Sequence, residues 1–154
     1  MPVTLSELLA TPALNLALLT EPAPTPAPVE AQADPELLWS HSSDLDDPSP
    51  FLEPGQLLLT TGRQFSEFHD ADEYRDYVGR LQRAGVVALG FGTEVLRVTP
   101  PELVDACGRA GMPLLEVPYA TPFIAVSRQI ADRLAAEARQ QLEWTLVSQE
   151  AVSR

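Results

Sequence analysis

An α/β fold, with a small, open, mostly parallel sheet flanked by helices and a long C-terminal helix, follows from three features of the sequence. Three short apolar runs, QLLLTTG (56–62), VVALGF (86–91) and PLLEV (113–117), have the length and near-continuous apolar character of strands covered on both faces. Amphipathic helical stretches separate them, and strand–helix–strand units of this length imply right-handed crossovers between parallel strands. Beyond the third run, helix formers continue from about residue 123 to 150 without Gly or Pro.

Each element carries its own signals. Thr4 and Glu7 form the two ends of a capping arrangement for a short helix that stops before Pro12. Leu16–Leu19 and Leu37–Ser42 are candidate extra strands, and DDPSPFLEPG (46–55) is rich in turn formers. Between the candidate strands, PAPTPAP (22–28) places Pro at every second position, so 21–35 reads as an exposed Pro-rich loop or linker favouring extended polyproline II. Asp70 caps a helix with Glu73 at its third position, followed by Tyr74, Tyr77, Val78, Leu81 and Ala84 at helical spacing and Gly85 as the stop. Thr99, with Pro100 at the first helical position and Glu102 at the third, opens another helix, whose apolar stripe is Leu103, Val104 and Cys107 and whose stop is Gly111.

The final helix has Thr121 as its cap and Pro122 in its first turn. Val126, Ile130, Leu134, Ala138, Leu142 and Leu146 recur every four residues, a stripe that drifts around the helix and keeps no heptad register. Such a helix would run roughly 40 Å, longer than a small sheet covers. Its surplus, with Trp144 and Val147 beside it, calls for a second chain or another domain. The expected organisation is therefore an α/β unit over 1–122 and a signalling or dimerisation helix over 123–154, with Ile130, Leu134, Leu142 and Leu146 in a homodimer interface.

Composition limits the function. The chain has 154 residues, with 22 acidic and 10 basic residues and a formal charge of −12. Every basic residue is Arg. Such a chain has no general attraction for nucleic acid, nor for an anionic membrane surface. No apolar run is long enough to span a membrane, and MPVTLSELLATPALNLALL lacks the basic start of a signal peptide, so a cytoplasmic location is expected. The absence of Lys rules out a phosphate-loop lysine, and Gly90-Phe91-Gly92 lacks the third glycine of a dinucleotide loop. No cofactor is called for. His41 and His69 have no paired spacing, so no metal site is expected. His41, Ser43 and Asp44 lie too close along one extended segment to meet as a catalytic triad, and Asp44 is expected to close a turn. Cys107 is expected in the core. Nothing marks the chain as an enzyme. Eleven carboxylates against Arg63 alone between Glu30 and Glu73 form either a solvated face or a cluster facing a polar ligand.

WSHSSDLDDPSPFLEPGQLLLTTG (39–62), RLQRAGVVALGFG (80–92) and AGMPLLEVPYATPFIAVSRQI (110–130) resemble the N-terminal domain of the purine catabolism regulator (PucR) family of bacterial transcription regulators. The resemblance covers essentially the whole chain. It is most specific at Gly-Gln-Leu-Leu-Leu-Thr-Thr-Gly (55–62), Gly-Phe-Gly (90–92) and Pro-Leu-Leu-Glu-Val-Pro (113–118). It implies a sensor domain responding to a small metabolite such as a purine-breakdown intermediate, with DNA reached only through a helix-turn-helix outside this sequence. The Pro-rich 21–35 stretch is longer than the family pattern leads one to expect.

In open parallel sheets the ligand crevice lies outside the carboxyl ends of the strands. That edge comprises Thr60, Thr61 and Gly62, then Gly90, Phe91 and Gly92, then Glu116, Val117, Pro118 and Tyr119. Gly62 and Gly92 allow close approach of a ligand, Thr60, Thr61 and Glu116 offer hydrogen-bonding groups, and Phe91 or Tyr119 offers a ring to stack on. The same residues also suit turns, caps and strand edges. Arg63 and Arg97 lie just past strand ends and suit either an anionic effector or surface ion pairs. The alternative to a sensor is a ligand-free dimerisation or interaction module of the same regulator.

Overall fold

In a computed structural model, the described residues are 3–20, 35–68, 70–93, 96 and 98–152, with side chains of the last helix described through residue 145. The Pro-rich stretch over 21–34, His69, Arg97 and the side chains of Leu146 and Val147 lie outside them. The elements are α1 (Leu5–Leu9), β1 (Ala17–Leu18), β2 (Trp39–Ser42), β3 (Gln56–Thr60), α2 (Ala71–Arg83), β4 (Ala88–Gly92), α3 (Pro101–Ala110), β5 (Leu114–Val117) and α4 (Phe123–Val152).

The five strands form one sheet in the order β1-β5-β4-β3-β2. β2, β3, β4 and β5 run parallel, and only β1 is antiparallel, with Ala17 opposite Glu116. The expected three parallel strands are thus joined by a fourth, and the expected early strands form the two edges.

Strand alternation divides the core into two layers. Leu58, Leu89, Phe91 and Leu114 face α2 and α3, meeting Tyr77, Leu81, Leu103 and Cys107. Leu57, Leu59, Ala88, Leu115 and Val117 face the other way, onto Leu5 and Leu8 of α1 and Val126 and Ile130 of α4. Every residue of β3 and β4 is buried, which explains why these strands read as unbroken apolar runs.

Local signals account for the starts of α1 and α2, while that of α3 is corrected. Asp70 accepts from the Glu73 amide at 3.0 Å, and Thr4 accepts from the Glu7 amide at 3.4 Å, as the capping patterns predict. α3 starts one residue later than expected. Pro101 forces the residue before it out of helical conformation, so Pro100 is extended (φ −58°, ψ 130°) and precedes the helix. Thr99 is no cap: its buried hydroxyl has no hydrogen-bond partner.

α4 is not a free appendage at its root. Val126 and Ile130 are fully buried in the second core layer, and Leu134 packs against it. Ile130 is therefore committed within its own chain rather than available to a dimer interface. Packing is continuous across the expected 122/123 division. Farther along, Leu142 is 61% exposed and Trp144 73% exposed.

Candidate functional site

The sheet does end in a cleft, at the carboxyl ends of β4 and β5. Its volume is about 460 Å³, and it is lined by Gly92, Thr93, Val117, Pro118, Tyr119, Ala120, Thr121, Pro122 and Phe123. Two strand ends thus supply one part of the wall, and the chain leading into α4 supplies the rest.

Of the ten residues expected at this edge, the cleft brings together Gly92, Val117, Pro118 and Tyr119. Tyr119, 77% exposed, stands at the rim. Gly92 is needed for a different reason from the one expected. A Cβ on Gly92 would lie 2.6 Å from the Phe123 ring, so the space is filled by the protein's own aromatic side chain. Gly62 behaves alike. It has φ +81°, the left-handed region that favours glycine, and a Cβ there would meet Phe91 at 2.5 Å. On the side where a Cβ would stand, each glycine is already covered by an aromatic ring. Phe91 is fully buried and stacked on Phe65, with centroids 6.1 Å apart and planes at 7°, so it presents no face to the cleft. Glu116 lies half-buried on β5 and is not part of the cleft wall.

Thr60 and Thr61 belong to a separate polar network organised by Asp44. The Asp44 carboxylate accepts from the Thr60 hydroxyl at 2.9 Å, the Thr61 amide at 2.8 Å and the Thr61 hydroxyl at 2.8 Å. Thr60 in turn accepts from Gln64 Nε2 at 2.9 Å, and the same Gln64 amide donates to the Tyr77 hydroxyl at 3.0 Å. The chain therefore ties the β2–β3 connection to α2. The expectation that Asp44 closes a local turn is corrected: β2 ends at Ser42, and the released side chain reaches the end of β3 instead. Turn closure falls to Asp47, which accepts from the Ser49 hydroxyl at 2.6 Å and the Ser49 amide at 3.2 Å. Those bonds hold the Asp47 carboxyl below the usual carboxylate range.

Ser43 accepts from the Leu45 amide at 3.2 Å while Asp44 is engaged by the threonines, so His41, Ser43 and Asp44 do not assemble as a triad. Burial raises the pKa of the Tyr77 hydroxyl and pushes the Cys107 thiol up to about 12. Both are neutral at physiological pH, which fits core packing rather than nucleophilic chemistry. Arg63 is exposed beyond β3 and lies outside the cleft.

Three features of the cleft escaped the sequence. Thr93 is two residues past the apolar run and one past β4. Its amide donates to the Val117 carbonyl at 3.2 Å, and its side chain is only 9% exposed. Ala120, Thr121 and Pro122 read as a connection, yet they continue the wall beyond Tyr119. Thr121, expected to cap α4, instead donates its hydroxyl to the Leu14 carbonyl at 2.8 Å, binding the α4 entry to the chain before β1. An apolar sequence flanking a helix start gives no signal for a contact of that range.

These observations define a three-layer α/β domain of the open, mostly parallel type, with its cleft where strands β4 and β5 meet the root of a long helix. The chain belongs to the Purine catabolism regulatory protein-like family, whose profile matches residues 8–134. It is 38% identical over 100 residues to the Transcriptional activator PmfR of Paenarthrobacter nicotinovorans, a match that takes in 64% of this chain and 21% of that protein. The chain thus spans about a fifth of the length of this curated relative. A solved structure of the CBS and DRTGG domains of the regulatory region of Clostridium perfringens pyrophosphatase, complexed with the activator diadenosine tetraphosphate, has a similar fold. The TM-score is 0.52 at 11% identity, over 83% of this chain and 46% of that one. Among the described residues, no helix is long and apolar enough to cross a membrane.

Proposed function

We propose that this chain is the effector-sensing domain of a transcription regulator. In this reading it binds a small metabolite, such as a purine-catabolism intermediate, in the cleft at the ends of β4 and β5. It then relays occupancy through α4 to a DNA-binding domain outside these residues. It acts by binding, not by catalysis, in the cytoplasm. Family membership and the similarity to a transcriptional activator support the regulatory part.

One observation carries the sensing part. Phe123, the first residue of α4, both lines the cleft and fills the space over Gly92 on β4. A ligand entering the cleft therefore meets the root of the helix that leaves the domain. Allostery requires the effector to favour one of two states of a bistable element, and a helix rooted at the cleft and exposed farther along, at Leu142 and Trp144, suits that role.

A thermal-shift screen against purines and their ring-opened products tests the proposal. A ligand at 100 times its dissociation constant stabilises the native state by roughly 2.7 kcal/mol, a clear rise in Tm. Absence of a shift with every compound would count against purine catabolites as effectors.

The exposed Leu142 and Trp144 favour a second role for α4, self-association through its distal half. It is compatible with sensing, and by itself it would describe a ligand-free dimerisation module. Sedimentation of the intact chain and of a Leu142→Ser/Trp144→Ser variant tests it. Dimers lost in the variant support the interface, and dimers unchanged by it remove it.

A further inference from the structure

α4 carries a second apolar face. Val126, Ile130 and Leu134 turn into its own domain. Ala131, Ala135, Ala138 and Leu142 follow at intervals of four, three and four residues, which sets them in a row roughly 110° around the helix from the buried face. Ala135, Ala138 and Leu142 are exposed, and Ala131 is half-buried. Alternating steps of four and three make the seam of two helices packed side by side at a small angle.

The charges beside this row point to its occupant. Asp132 and Arg139 flank it on the same side, both exposed, and neither side chain has a partner among the described residues. Two copies set antiparallel, with the axis between Ala136 and Glu137, bring Ala131 against the partner's Leu142 and Ala135 against the partner's Ala138. Each Leu142 then fills the space over an alanine, the large-against-small match that packs a seam well. The same register lays Asp132 beside the partner's Arg139, once on each side of the axis. A parallel pair would instead set Arg128, which continues the row toward the root of α4, against Arg128 of the partner subunit. It would also leave Asp132 and Arg139 facing Ser127 and Leu134 of the partner subunit, with neither charge matched. The net charge agrees with a second copy as occupant. Residues 124–154 balance four Arg with four acids, whereas the whole chain carries −12, so two copies meet here with least repulsion.

Building on the self-association of α4 proposed above, we infer that two copies of this chain pair antiparallel along residues 131–142, held in register by two Asp132–Arg139 ion pairs. Each helix's distal end then lies beside the other's root. Phe123, at that root, lines the cleft, so dimer contact and cleft occupancy act on one element.

Sedimentation equilibrium of the intact chain and of charge-reversed variants tests the pairing. Asp132→Arg and Arg139→Asp should each weaken the dimer about tenfold, because each sets like charges together at two places. The double reversal should restore it. Both positions are exposed, and circular dichroism reports that each variant is folded. Cysteine cross-linking reads the direction independently, since the native Cys107 is buried. In the antiparallel pair Thr145 faces Arg128 of the partner subunit and lies about 26 Å along the axis from the partner's Thr145. Arg128→Cys and Thr145→Cys chains should therefore form a disulfide when mixed, and Thr145→Cys alone should form none. A Thr145→Cys chain that cross-links to itself, a missing mixed cross-link, or a double reversal no better than the single ones would overturn the antiparallel pairing while leaving self-association standing. An unaltered chain that stays monomeric at every concentration would overturn both.

Discussion

Asp44 shows how much one exposed side chain can organise. Its carboxylate receives two hydroxyls and one amide from Thr60 and Thr61, and through Thr60 and Gln64 it connects to the buried Tyr77. Removing the carboxylate leaves the Thr61 amide without its acceptor and the buried Thr60 hydroxyl with only the longer, 3.3 Å contact to Gln64 Oε1. Asp44→Ala should therefore destabilise the fold by about 1–2 kcal/mol, in the range for losing the partner of buried polar groups, and lower the urea midpoint accordingly. An unchanged midpoint would mean that solvent replaces the carboxylate without cost. Asp44 was legible as a polar residue in a turn-rich stretch. Its partners, 16 and 17 residues away, were not, because they depend on where β2 stops relative to the end of β3.

At the level of elements, the contact between Gly92 of β4 and Phe123 of α4 is the joint on which the proposed relay depends. A Cβ at position 92 would stand 2.6 Å from the ring, so either the ring or the root of α4 must move. Gly92→Ala should cost about 1–3 kcal/mol as an overpacking change. Combining it with Phe123→Leu should recover part of the loss, because the two substitutions share one space. Thermal unfolding of the two single variants and the double variant measures that coupling. Strict additivity would show that the two sites act independently. Glycine at 62 and 92 was read from the sequence as room for a ligand. The structure assigns that room to Phe91 and Phe123, and which neighbour fills a missing side chain is a property of packing.

For the whole molecule, the division between sensor and signalling helix has a consequence for dissection. Cutting the chain at residue 122 would strip Val126 and Ile130 from the core layer over Leu57, Leu59 and Ala88. That fragment should fail to fold cooperatively. A chain ending after residue 136 keeps both residues and Leu134, and should retain the fold while losing the exposed apolar Leu142 and Trp144. Circular dichroism and urea melts of the two fragments separate these outcomes. A cooperative fold in the shorter one would show that α4 contributes little to the core.

Fold class, the parallel strands and the starts of α1 and α2 were legible in the sequence. These rest on local rules: unbroken apolar runs suit strands covered on both faces, and Asp70 and Thr4 cap the helices that follow them. It also placed the cleft at the correct end of the sheet, because crossover topology directs the strands' carboxyl ends to one side. Of the edge residues it named, Gly92, Val117, Pro118 and Tyr119 line the cleft, and packing across the fold turned the others away. Phe91 was drawn into the core by Phe65, Thr60 and Thr61 were held by Asp44, and Thr121 was diverted to Leu14. The physical reason is the same each time. A side chain's role at a site depends on which groups compete for it across the fold, and those competitors are distant in sequence until the sheet and α4 bring them together.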